Sequence, residues 1–311
     1  MNTLREAVDD YLALRRGLGF KLRIAGPRLL DFVAFLEREG ASYITNELAL
    51  RWAMQCSACQ PAQWAGRLSF VRSFARHRSA SDPRTQIPPY GLLPYRPGRA
   101  QPYLYTEQEI ERLLEAAKNL PPATGLRRWT YYCLFGLLSV TGLRISEAIA
   151  LERQDVDLQQ GLLSIRTSKF GKSRFVPLDP STVQALAQYV RQRDRILSKL
   201  TTLHFLVNER GRPLESSNVR RTFYRLSRQI GLRGPNDSHG PRLHDFRHRF
   251  AIETLVRWYR SGEDVERRLP ILSTYLGHAH VTDTYWYLSA CPELMAQATQ
   301  RLERRWRTGH E

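Results

Sequence analysis

The chain has 311 residues, 42% of them hydrophobic and 25% charged, which excludes a disordered tract and allows two domains. Lys and Arg number 47 against 30 Asp and Glu, a formal charge of +17, and such an excess favours a polyanionic partner, nucleic acid ahead of an acidic lipid surface. No run approaches the roughly 18 apolar residues of a membrane span, and no apolar stretch of signal-peptide type follows Met1. Four cysteines are too few for a disulfide scaffold at this length, so a reducing cytoplasm is the expected compartment.

The N-terminal part reads as helices. Leu4, Val8, Tyr11 and Leu12 recur at helical spacing, and Leu29, Leu30, Phe32, Val33, Phe35 and Leu36 mark a second helix that Gly40 stops. Thr45 is placed to cap a third, carrying Leu48, Leu50 and Trp52. A fourth runs from about Trp64 to His77, with Leu68, Val71 and Phe74 on one face and Arg67, Arg72, Arg76 and Arg78 on the other. Balancing acids are missing from that second face, which favours a DNA-facing surface over a merely solvated one. Cys56 and Cys59 form one Cys-x-x-Cys, for which a structural pair of buried thiols is expected rather than zinc, since His77 is the one histidine in the first hundred residues.

Prolines 83, 88, 89, 94, 97 and 102 then break any helix and imply an extended basic linker, so the expected division is an N-terminal helical domain over 1–82, a linker over 83–103 and a second domain over 104–311. Thr106-Glu107-Gln108-Glu109 is a capping box ahead of Ile110, Leu113 and Leu114. Tyr131 to Val140 is apolar enough for a buried core helix. Gly161–Arg166 and Ser173–Leu178 read as two short strands joined by a turn at Phe170-Gly171-Lys172, with Lys169 and Lys172 at the tip. Helices resume near Thr182, Ser217, Asp245, Leu269 and Pro292.

Four segments carry residues suited to attack at phosphorus. Such chemistry needs a nucleophile, guanidinium forks to meet the charge growing on the phosphate oxygens, and an acid for the departing sugar oxygen. Thr141-Gly142-Leu143-Arg144-Ile145-Ser146-Glu147 places an arginine after a glycine turn. Lys169 follows in the hairpin. Leu243-His244-Asp245-Phe246-Arg247-His248 puts His244 and Arg247 on one helical face. Leu276-Gly277-His278 is followed nine residues later by Tyr287, in Thr284-Tyr285-Trp286-Tyr287. The spacing of His244 and His248, and the pair His278 and His280, also suit a metal, but the metalloprotease order is missing its glutamate.

These motifs, in this order, resemble the tyrosine recombinases, also called phage integrases, over residues 104 to 300. The resemblance implies a mainly α fold, with an N-terminal helical core-binding domain and an α-rich catalytic domain holding a small β-hairpin. It implies that Arg144 and Arg247 hold the scissile phosphate, that His244 bonds it or accepts a proton, and that His278 bonds a non-bridging oxygen. Lys169 would protonate the 5′ oxygen, with Lys172 as rival. Tyr287 would attack, with Tyr285 and Tyr275 as rivals. Glu147 and His248 would support these groups. No metal or other cofactor is implied. The implied partners are double-stranded DNA recombination sites and further copies of the chain, four around two sites, with accessory proteins allowed for and no membrane.

The sequence departs from the family pattern in lacking a histidine two residues after Tyr287, where Ser289 stands, and in a long polar stretch from Arg257 to Pro270. It resembles integrases of mobile elements more than resolvers of chromosome dimers. Leu294, Ala298, Leu302 and Trp306 step by four along a C-terminal helix, whose stripe would dock on its own domain or on a neighbouring protomer. A type IB topoisomerase and a DNA-binding protein without catalysis are the alternatives.

Overall fold

The computed structural model describes residues 3–57, 59–93, 101–166, 173–197, 202–237, 239–289, 294–296 and 299–300. The chain divides into two compact units, 1–100 and 101–311.

The first unit is four helices, α1 (Leu4–Gly17), α2 (Ala25–Arg38), α3 (Asn46–Met54) and α4 (Pro61–Arg78). Their starts follow local chemistry. Thr3 and Glu6 close a capping box on α1, Thr45 accepts from Leu48 N–H at α3, and Pro61 opens α4 in its first turn, ahead of the expected Trp64. Gly40, at φ +66°, ends the α2 turn in the left-handed region. Val8, Phe32, Val33, Leu36, Trp52, Val71 and Phe74 are wholly buried between the four helices.

The arginine face of α4 makes contacts within its own unit. Arg67 donates to the Trp52 carbonyl at 2.8 Å and covers the Trp52 ring, and Arg72 donates to the carbonyls of Pro88 and Pro89. Arg78 is buried beside Asp82. All four cations thus contact their own unit, Arg76 through the Tyr90 hydroxyl while staying exposed.

The expected linker is also divided. Gln86 N–H donates to the Ile44 carbonyl, and Leu92 and Leu93 pack on the first core, so residues up to 93 belong to this unit; residues 94–100 lie outside those described. Cys56 and Cys59 are joined in a disulfide and half-buried, not a pair of buried thiols. The chain turns tightly after α3, and Cys59 N–H bonds the Cys56 carbonyl, which brings the two Cα atoms to 5.2 Å.

The second unit holds α5 (Glu107–Lys118), α6 (Arg127–Thr141), α7 (Ile145–Ala150), the strands β1 (Val156–Asp157), β2 (Leu162–Ile165) and β3 (Arg174–Pro177), then α8 (Pro180–Ile196), α9 (Ser216–Gln229), α10 (Asp245–Arg260), α11 (Val265–Leu276) and α12 (Thr282–Ser289). The capping box at Thr106 and Glu109 forms as the sequence implies. The apolar α6 is the central helix, buried at Leu134, Phe135, Leu137 and Leu138. The three strands make an antiparallel sheet in the order β1-β2-β3, with Leu163 opposite Val176. Two residues are too few for β1 to show an alternation in sequence. The hairpin tip, with Lys169 and Lys172, lies outside the described residues.

The mainly helical fold with one small sheet is the fold class the sequence implies. No described helix is long and apolar enough to cross a membrane. Of the C-terminal stripe, Leu294 is buried in the core shared by α10, α11 and α12 of its own unit, whereas Ala298, Leu302 and Trp306 lie outside the described residues.

Candidate active site

A helix leaves its last carbonyls without intrahelical partners, and its C-terminus carries partial negative charge. At the end of α11 three guanidiniums take three consecutive carbonyls. Arg174 donates to Tyr275 O at 2.5 Å, Arg247 donates to Leu276 O, and Arg144 donates to Gly277 O at 3.0 Å. Three cations from three distant segments therefore converge on one point.

Each arrives by local necessity. Gly142 ends α6 in the left-handed region at φ +61°, and a Cβ there would meet Phe250 Cδ1 at 2.7 Å, so glycine turns the chain and Arg144 caps α7 in extended conformation. Arg247, in the first turn of α10, is 1% exposed and uses its other arm on Gly142 O at 2.9 Å. Burial, then repulsion from Arg144, lowers its pKa to about 10, which still leaves it charged at neutral pH.

The counter-charge is Glu147. Its carboxylate accepts from Arg144 Nη1 at 2.8 Å, and from Arg174 Nη2 at 2.8 Å and Nη1 at 3.2 Å. Burial pushes its pKa up, but these bonds outweigh burial and hold it below the ordinary value. Three cations against one anion leave the basin with net positive charge.

The histidines line the same basin. Gly277 ends α11 at φ +66°, and His278 Nδ1 lies 2.7 Å from the buried Thr284 hydroxyl. Burial, then the charges of Arg247 and Arg144, pushes His278 down to about 4. His244, at the start of α10, keeps an exposed edge, yet desolvation of its ring and repulsion from Arg247 push it down to about 4. His248 lies edge-on to His244, with ring centres 4.7 Å apart, and its buried Nδ1 has no hydrogen-bond partner among the described residues. Burial, then His244, pushes it down to about 3. All three are therefore neutral near pH 7. No group of three or more His, Cys, Asp or Glu suited to a metal occurs among the described residues.

Tyr287, on α12, is 2% exposed. Its ring stacks at 6.1 Å on His278 and lies 5.5 Å from His248, and its phenol is within electrostatic reach of Arg247. The rivals are set differently, although the Tyr275 phenol is also within electrostatic reach of Arg174 and Arg247. Tyr285 is 48% exposed, and Tyr275 stacks on Phe250 while burial pushes its phenol up to about 12. Arg144, His244, Arg247, His278 and Tyr287 thus assemble in one basin, with Glu147 and His248 against them.

Arg174 belongs to this basin and is not among the residues the motifs pick out. A signal for it exists in β3, where Arg174 and Val176 share the inner face while Phe175 between them is 67% exposed. A cation on the inner face of a short strand calls for a buried anion.

The model of the phage integrase family matches residues 104–293. The chain is 57% identical over 310 residues to the protein named integrase/recombinase y4rB of Sinorhizobium fredii (strain NGR234), covering 98% of this chain and 99% of that one. It is 30% identical over 231 residues to the tyrosine recombinase XerC of Chlamydia caviae, 74% of this chain and 68% of the relative. Among solved structures, the Tn1549 transposon integrase bound to transposon right end DNA has the same fold, with a TM-score of 0.70 over 97% of this chain and 99% of that one, at 16% identity. The site-specific recombinase XerH bound to its difH substrate gives 0.64 over 90% and 79%, at 17% identity.

The fold and the match to the family model together define the class of enzyme. The chain belongs to the phage integrase family, the tyrosine recombinases, and its enzyme class is that of the site-specific DNA recombinases.

Proposed function

We propose that this chain cleaves and rejoins DNA at specific sites through a covalent 3′-phosphotyrosyl link at Tyr287, and that it moves a mobile genetic element. The observation that carries the reading is the burial of Tyr287 against His278 and His248, in the basin where Arg144 and Arg247 meet at the end of α11.

The guanidiniums of Arg144 and Arg247 hold the two non-bridging oxygens of the scissile phosphate and meet the charge that grows there. Neutral His278, oriented by Thr284, donates from Nε2 to one of those oxygens. His244, also neutral, takes the phenolic proton as Tyr287 Oη bonds to phosphorus. The bond to the 5′ oxygen breaks, and that oxygen leaves with a proton from Lys169. The phosphotyrosyl ester conserves the energy of the broken bond, so a 5′ hydroxyl from a second duplex reverses the step without ATP. Two such exchanges, made in pairs by four protomers on two sites, pass through a Holliday junction. The relative named integrase/recombinase supports the integration reading. Action on DNA supports the expected cytoplasmic location.

The test is covalent capture. Nicked duplexes cut from the flanks of the encoding element, incubated with the full chain, are expected to yield a protein–DNA adduct on a denaturing gel. Tyr287→Phe abolishes the adduct and Tyr285→Phe retains it. DNA binding without any adduct would instead favour a binding protein, and an adduct that survives Tyr287→Phe moves the nucleophile elsewhere.

A further inference from the structure

Resting on that reading, we propose that Arg174 is a positioning residue of the active site: it holds Glu147 and the end of α11, so that Arg144 can turn to the phosphate and His278 stays at its rim.

Arg174 and Glu147 form an ion pair whose side chains are 7% and 6% exposed. Both carboxylate oxygens are engaged by the Arg174 fork, at 2.8 and 3.2 Å. The third guanidinium nitrogen of Arg174, Nε, holds Tyr275 O, two residues before Gly277. The fit at the helix end is close, since a Cβ on Gly277 would come within 2.8 Å of Arg174 Nη1 and 3.5 Å of Arg144 Nη1. Arg174 therefore joins β3 to the start of α7 and to the end of α11, across 27 and 101 residues of sequence.

The consequence lies in how Glu147 is shared. A buried carboxylate must be compensated. With Arg174 in place, Glu147 has a full fork of its own, and its bond to Arg144 can be given up when a phosphate arrives. Without Arg174, Arg144 is the remaining cation on Glu147 and is held there. The Arg174 side chain is 7% exposed and all three of its nitrogens are engaged by Glu147 and Tyr275 O, so its assigned role is positioning and not catalytic. A lysine in its place keeps the charge but not the fork, because an ammonium cannot bond both carboxylate oxygens and Tyr275 O in one plane.

The experiment compares full-length wild type, R174M, R174K, E147Q and R174M/E147Q on one nicked duplex, reading single-turnover cleavage rate and DNA dissociation constant separately. The expected result for R174M is a cleavage rate lower by about 100-fold, with the dissociation constant changed by less than about 3-fold. R174K recovers part of the rate. The decisive variant is R174M/E147Q, expected to cleave at least about 5-fold faster than R174M, because removing the stranded carboxylate releases Arg144. A mere packing lesion deepens when a second buried group is altered. The inference is overturned if R174M cleaves within about 3-fold of wild type, or if the losses of R174M and E147Q simply multiply. If R174M shows no cooperative melting, R174K decides: a slower rate at unchanged affinity supports the inference, and a wild-type rate overturns it. Failure of wild type to form any adduct counts against the proposed function instead.

Discussion

Arg247 donates a 2.9 Å hydrogen bond to the carbonyl of Gly142, 105 residues upstream. With its second arm on Leu276 O, this one side chain, 1% exposed, ties the end of α6 to the end of α11 and fixes where the basin lies. R247K keeps the charge and loses one of the two anchors. Cleavage is expected to fall by about 100-fold or more, as for loss of a preorganised donor, and the unfolding free energy by about 2 kcal/mol, as for a buried charged hydrogen bond. Adduct yield and urea denaturation of the same preparation measure the two.

Gly142 is held at φ +61° with no space for a side chain, since a Cβ added there would fall 2.7 Å from Phe250 Cδ1. G142A carries both a left-handed backbone penalty and a clash with a packed ring, together ~2 kcal/mol or more. The loss should appear in the denaturation midpoint. Because Arg144 follows the turn, cleavage should fall further than the change in folded fraction explains.

Thr284 is fully buried, and its hydroxyl is 2.7 Å from His278 Nδ1. T284V preserves shape and removes that partner, at a cost of about 1 kcal/mol in stability. Cleavage is expected to drop about tenfold or more as His278 loses its tautomer and orientation, and T284S to restore it. Equal cleavage by T284V and wild type would remove His278 orientation from the mechanism.

The three histidines set a pH window. Their folded-state pKa values lie at about 4, 3 and 4 for His244, His248 and His278, below the ordinary 6.5. Between those values and 6.5 the unfolded chain binds more protons than the folded one. The stabilisation is therefore complete above about 6.5, and declines as pH falls through that value toward 4. The melting temperature of the DNA-free protein should drop across this range, and H248Q should flatten the slope. A melting temperature independent of pH from 7 to 4 would contradict the neutral state of these rings in the folded protein.

Much of this was legible in the chain because it is local. A cap, a stop or a helical stripe is decided by residues within four positions, so Thr106 with Glu109, Gly40 and the apolar face of α6 could be read directly. The order Arg144, His244, Arg247, His278, Tyr287 was legible too, and the nine-residue step from His278 carries Tyr287 around α12 onto the ring of His278.

What sequence could not assign is the use of a charge. Arg67, Arg72 and Arg78 look like one basic face along α4, yet tertiary contacts spend them on Trp52, on the carbonyls of Pro88 and Pro89, and on Asp82. The alternation of β3 puts Arg174 on the inner face with Val176, but nothing local names Glu147 as its buried partner. By itself, then, the sequence determined most of the helices, the family and the residues proposed to react. Only the tertiary structure decided that three guanidiniums meet on the last carbonyls of α11. Their partners lie 29, 101 and 133 residues away, and a contact at that separation is set by how helices pack rather than by any local preference.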